Sequence, residues 1–199
     1  MWESAMGRVK VFDESFALGQ AMRLFWKQGY ANTTLKQLLS AMGMLNGSFY
    51  HCFKDKKTVF LKSLDYYNQE FTYKRQKALL RHDDFSAGIR ALFTEIFSTL
   101  DSAGEPNGCL IVNSMTNEVL CEEELKSFLE EDLKLFLQFM TDRIALSIAL
   151  THTQSSLPAK QLAFILVTYI HGLFRISNTF IETQQLKTQT DDFLYALGL

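Results

Sequence analysis

Proline and glycine are scarce in this chain, with two prolines and ten glycines in 199 residues. A strand-rich fold needs many tight turns, and those turns draw on both residues, so the scarcity argues for helices throughout. Cysteine is nearly absent too. Three thiols are an odd count without framework spacing, which excludes a disulfide scaffold and fits a reducing compartment. No apolar run reaches ~18 residues, so no membrane span is expected. The opening MWESAMGRVK lacks the hydrophobic segment of a secretory signal, and a cytoplasmic protein is the expectation. His, Cys and carboxylate residues show no metal-ligand spacing, so neither a metal nor a cofactor is implied. Nucleophile–base sets, Gly-rich phosphate loops and paired acidic motifs are also missing, which weighs against an enzyme.

What is present is unevenly spread. The net charge is −2, yet residues 1–81 hold 13 Lys+Arg against 6 Asp+Glu, a net of +7. Residues 82–199 hold 7 against 16, a net of −9. A basic first part can neutralise phosphates, and an acidic remainder stays off them. Charge blocks can also be plain solvated surface.

The informative stretch is Asn32 to Lys57, NTTLKQLLSAMGMLNGSFYHCFKDKK. Thr34 with Gln37 forms a capping-box pattern, and Leu35, Leu38, Leu39 and Met42 recur at helical spacing. Gly43 breaks that pattern where a sharp turn needs a left-handed residue. Asn46 is the expected cap of a second, short helix through Phe53. Phe49 and Phe53, four apart, anchor it, while Asn46, Gly47, Ser48 and Tyr50 face outward. Two short helices joined by a glycine-bearing turn form the helix-turn-helix pattern, whose second helix enters the DNA major groove.

From Phe12 to Leu64 the chain resembles the DNA-binding domain of the TetR family of transcriptional regulators. The matching marks are AMRLFWKQGY, TTLKQL, AMG and SFYHCFKDK, in that order. The resemblance implies an all-α protein with a three-helix helix-turn-helix domain over residues 1–57. A larger ligand-binding and dimerisation domain over 58–199 follows, opening on a connecting helix over 58–81 that transmits ligand binding. It implies that Tyr50 contacts a phosphate through its hydroxyl and that Lys56 does so from the next helix. Thr34 and Lys36 are further phosphate candidates. Asn46 and Ser48 can read base edges, and Gly47 adds no side chain. His51 either touches the backbone or stands idle. Arg8 and Lys10, in the N-terminal arm, either reach the minor groove or phosphates, or contact nothing.

Beyond residue 84 the pattern is helical: 85–103, 109–119, 122–151, 158–180 and 184–197. Phe93, Phe97, Phe136 and Phe174, with Met115 and Met140, are candidate walls of an effector pocket, and equally fit as core. Cys109 opens a GCL-type segment resembling a branch of the family that senses electrophiles or oxidants. With Asn107 as cap, Cys109 would lie in the first turn, where the dipole favours a thiolate. A small buried hydrophobe is the alternative. The helix over 158–180 is apolar nearly all round, which means burial on all sides or a partner. By resemblance the last two helices form a homodimer interface, with Phe164, Tyr169, Leu173, Ile176 and Phe193 as candidates. The expected protein is a dimeric repressor of double-stranded operator DNA, released by a small apolar or thiol-reactive effector. The alternatives are a helical ligand binder without DNA binding, or an activator.

Overall fold

A computed structural model describes residues 13–153 and 155–199, so Arg8 and Lys10 lie outside the described residues. Among these residues every regular element is helical. Asp13 caps α1 (Glu14–Gln28), its Oδ1 accepting from the Phe16 N–H at 3.0 Å. Thr34 caps α2 (Leu35–Met42) through a reciprocal capping box, with Gln37 Oε1 accepting from the Thr34 N–H at 2.8 Å. Gly43 then turns the chain at φ 65°, a left-handed conformation that a β-carbon disfavours. α3 (Asn46–Cys52) begins one residue earlier than expected. The extended capping conformation falls on Leu45, so Asn46 is the first helical residue and caps nothing.

α4 (Lys56–Tyr67) starts two residues early because Asp55 caps it, accepting from the Thr58 N–H at 2.7 Å and the Thr58 hydroxyl at 2.9 Å. The expected boundary between residues 57 and 58 therefore falls inside the first turn of α4. Nor does one regular α-helix run to residue 81. Asn68–Thr72 form a π-helical turn between α4 and α5 (Tyr73–Leu80). Such turns are rare and gather at functional sites.

The remaining helices are α6 (Phe85–Leu100), α7 (Leu110–Asn113), α8 (Asn117–Leu120), α9 (Glu123–Ala149), α10 (Ala159–Ile176) and α11 (Thr183–Ala196). The single helix expected over 109–119 is two short turns. Thr116 adopts an extended conformation and restarts the helix, accepting from the Val119 N–H. Pro158 caps α10 instead of being its first residue. α1 packs on α2 and α4, α5 on α6, and α9 on α10, while α7 touches α1, α4 and α10 at their meeting point. Buried apolar side chains from Ala17 to Leu199 form one connected core. No described helix is long and apolar enough to cross a membrane, and no described cluster of His, Cys, Asp and Glu could hold a metal.

Candidate DNA-reading surface and effector cavity

α3 has two distinct faces. Phe49 and Phe53 are buried, their rings 5.7 Å apart, and fix the helix to the head formed by α1–α4. Asn46, Gly47, Ser48, Tyr50 and His51 are exposed together on the other side. Tyr50 braces its ring edge-on against Phe49 at 5.5 Å and is 56% exposed, so its hydroxyl stands out on a stiff base. Space around Gly47 is open, with nothing within 4 Å of where a β-carbon would sit. Lys36 is exposed on α2. Thr34 is exposed as well, but its hydroxyl is committed to the capping box with Gln37.

Lys56 differs from the simple phosphate-facing picture. Its Nζ donates to the Thr33 carbonyl at 2.8 Å and lies 4.3 Å from the centre of the Tyr30 ring. Burial lowers the pKa of this amine. Lys56 thus ties the start of α4 to the approach to α2. An ammonium has three donors, so the tie leaves others for a phosphate. Lys57 points elsewhere, to Glu124 at 3.0 Å and Glu122 at 3.8 Å.

Further contacts join the head to the body formed by α5–α11. Arg23 on α1 grips Glu105 with Nη2–Oε1 at 2.7 Å and Nε at 3.2 Å from both carboxylate oxygens. One turn along, Trp26 Nε1 donates to the Asn107 carbonyl at 3.0 Å. The loop between α6 and α7 is therefore fastened to α1, and it ends at Cys109.

A cavity of about 40 Å³ lies behind that loop, lined from α5, α6, α7, α9, α10 and the π turn. Cys109, Phe136 and Phe174, three of the expected pocket residues, line it beside Leu92, Ile96 and Ile170. Phe93 and Phe97 do not. Each sits one position on from Leu92 or Ile96, about 100° around α6. They line a separate groove toward α11, and Phe93 also meets Tyr169 of α10 edge-on at 6.0 Å. Met140 is buried in the core and Met115 half-buried, and neither lines the cavity.

The polar lining was missed from sequence: Thr72, Arg75, Asp132 and His171. Arg75 is only 6% exposed. Its Nη1 donates to the Tyr67 hydroxyl at 3.1 Å and its guanidinium lies 5.0 Å from the centre of the Phe174 ring. Burial opposes its charge, but Tyr67 and Cys109 alongside outweigh that and hold its pKa above the ordinary value. Burial pushes the Tyr67 hydroxyl up. Asp132 is also pushed up by burial, against a hydrogen bond from the Asn68 amide in the π turn. Burial lowers His171. A sequence signal existed: Tyr67, Phe71, Arg75 and Leu79 repeat at four-residue spacing, so a charge interrupts an apolar stripe.

Cys109 is buried, at 5% exposure. It is not in the first turn of a helix capped by Asn107. It is itself the capping residue of α7, which has four residues. The Asn107 carbonyl instead accepts from Trp26 and from the Asn113 side chain. A helix so short supplies little dipole, and the nearby positive charge is Arg75. Cys52 and Cys121 are exposed.

The candidate dimer residues divide. Phe164 is 62% exposed, and Ile176 is exposed about 18 Å further along α10. Tyr169 and Phe193 are half-buried and stack on each other at 3.8 Å. Leu173 is a correction: it faces inward on α10 at 4% exposure and belongs to the core of its own chain. α10 is therefore not apolar-buried all round, but has a buried stripe and an open one.

A helix-turn-helix head fastened to an all-helical body is an architecture of DNA-binding transcriptional regulators. Residues 17–62 match the profile described as "Bacterial regulatory proteins, tetR family". The repressor ComR of Escherichia coli K12 is 33% identical over 115 residues, 57% of this chain and 55% of ComR. The uncharacterized HTH-type regulator YezE of Bacillus subtilis 168 is 29% identical over 129 residues, 65% of this chain and 66% of YezE. The chain thus spans less than two thirds of the length of these relatives. Among solved structures, a cysteine mutant of the TetR-family regulator CifR bound to 26-base-pair operator DNA superposes with a TM-score of 0.85. That likeness covers 95% of this chain and 99% of CifR at 25% identity. Reduced E. coli NemR shares the fold, with a TM-score of 0.72 and 19% identity over 89% of this chain and 94% of NemR. The helix-turn-helix domain is that of the TetR family of transcriptional regulators, and the whole chain has the fold of such regulators.

Proposed function

We propose that this regulator is a repressor that binds a pseudo-palindromic operator as a homodimer and lets go when an effector acts at the Cys109 cavity. The observation that carries this reading is α3: a polar, exposed face held by two buried phenylalanines, in a chain that shares nearly its whole fold with an operator-bound neighbour. Asn46 and Ser48 read base edges. Tyr50, Lys36 and Lys56 hold phosphates, and Thr34 supports them by fixing the start of α2. His51, exposed on the same face, touches the DNA backbone in this reading. Phe164 and Ile176, the open apolar residues of α10, meet a second copy with Tyr169 and Phe193 behind them. Two-fold symmetry then sets two half-sites about one helical turn apart.

The cavity reaches the head by two routes. Arg75 sits on α5, and the π turn joins α5 to α4. Cys109 ends the loop whose Glu105 and Asn107 hold α1. An effector that binds one arrangement of these walls better than the other shifts the population of head positions, and one that binds both equally shifts nothing. A thiol-reactive compound acts there by attaching to Cys109 in the cytoplasm. Selection of bound duplexes from random DNA tests the reading. A pseudo-palindrome should be enriched by wild type, and Tyr50→Phe should weaken its binding. Enrichment of single half-sites, or no enrichment, would contradict it.

A further inference from the structure

We infer that Arg75 is a carboxylate anchor, and that the non-covalent effector of the cavity is a small carboxylic acid bound as its anion. The inference rests on the proposed ligand site above but names a ligand chemistry that an apolar pocket would not take. Arg75 uses Nη1 for Tyr67 and has the Cys109 thiol, a weak acceptor, alongside, while its buried Nε and Nη2 meet no oxygen or nitrogen acceptor. These two N–H groups lie on the same edge of the guanidinium, the edge that receives a carboxylate with two parallel hydrogen bonds. Arg23 in this same chain uses that edge for Glu105. A buried cationic group with unmet donors costs stability, so an occupant that meets them is favoured.

The surroundings limit what that occupant can be. Asp132 lines the same cavity, but forms no ion pair with Arg75 and is engaged by Asn68. Its carboxyl therefore leaves the Arg75 edge open. About 40 Å³ holds roughly two or three water-sized groups, enough for a carboxylate and a short carbon chain. Leu92, Ile96 and Ile170 offer that chain an apolar wall. A doubly charged phosphate would lose more hydration in so apolar a space than one guanidinium returns.

The test is a thermal-melting titration of the full chain with acetate, propionate and butyrate, each against its uncharged amide, at constant ionic strength. The expected result is a saturable rise of roughly 3 °C with an acid and none with its amide. Arg75→Met, which keeps the side-chain bulk, should melt cooperatively and show no rise. Should that variant fail to fold, Ile96→Phe, which fills the cavity and leaves Arg75 in place, should likewise abolish the rise. Equal responses to acid and amide, no response to any acid, or a response retained in the folded variants would overturn the inference. DNA binding measured in the same samples tests the regulator reading separately. Acid binding without DNA release supports the anchor and counts against the coupling, whereas DNA binding without an acid response overturns the anchor and leaves the DNA-binding reading standing.

Discussion

The head and the body solve opposite problems with the same materials. In the head the apolar residues turn inward and the polar groups proposed to meet DNA turn out, so Ser48 and Tyr50 are exposed. In the body the polar groups of the proposed effector site are inside: Arg75 and Cys109 are buried, and Asp132 and His171 have pKa values displaced by burial. A surface that reads a large polyanion can wait in water. A sensor of small molecules must exclude water to discriminate, and so must hold polar groups at a cost to stability. The two arginines show this contrast. Arg23 is well exposed, joins head to body and has its carboxylate, while Arg75 is buried with the matching edge open.

The largest way to break the contrast is to remove the buried support of the exposed face. Phe49→Ala should cost about 3–5 kcal/mol and abolish DNA binding. Denaturant titration with a head-specific probe checks it, and a loss below about 1 kcal/mol would place Phe49 outside the core. Next, Phe164→Glu should split the dimer by burying a charge, read as a halved mass in sedimentation. An unchanged mass would remove α10 from the interface. Lys56→Ala should weaken binding to every DNA sequence and lower the salt slope by about 1, while also loosening the head through loss of its bond to Thr33. Wild-type affinity and slope would limit Lys56 to a structural tie. A finer probe is Gly47→Ala. The open space there predicts a head more stable by about 0.5–1 kcal/mol, and the proposed approach of this face to the groove predicts weaker DNA binding. Stronger DNA binding would show that Gly47 does not face the groove.

The smallest expected effect concerns pH. Hydrogen bonds from Thr58 hold Asp55 below the usual carboxylate range. Its cap therefore stabilises α4 above the unfolded-state pKa of roughly 3.9 and loses that contribution as pH falls through the lower folded value. Asp55→Asn, which keeps a capping oxygen, should flatten this part of the acid-stability profile, and an unchanged profile would discount the cap.

Much of the head was legible in the sequence because its rules are local. Thr34 with Gln37, Gly43, and the Phe49–Phe53 spacing each act over a few residues. Asn46 failed as a cap because capping depends on one residue's dihedral angles, and Leu45 takes them. The body was legible as helices but not as a site. Phe93 and Phe97 carry the right chemistry on the wrong side of α6, a matter of one position. Arg75, Asp132 and His171 meet only through packing of three helices distant in sequence. The same holds for the Arg23–Glu105 tie, whose partners are 82 residues apart.

The central claim is that an event at the cavity is felt by α3. Operator affinity of wild type and Cys109→Ser, measured by fluorescence anisotropy before and after N-ethylmaleimide, tests it most directly. The account predicts that the reagent weakens wild-type binding at least tenfold and leaves Cys109→Ser unchanged. Equal weakening of both proteins would place the effect at Cys52 or Cys121. Full modification of Cys109 with wild-type affinity retained would contradict the coupling of body to head.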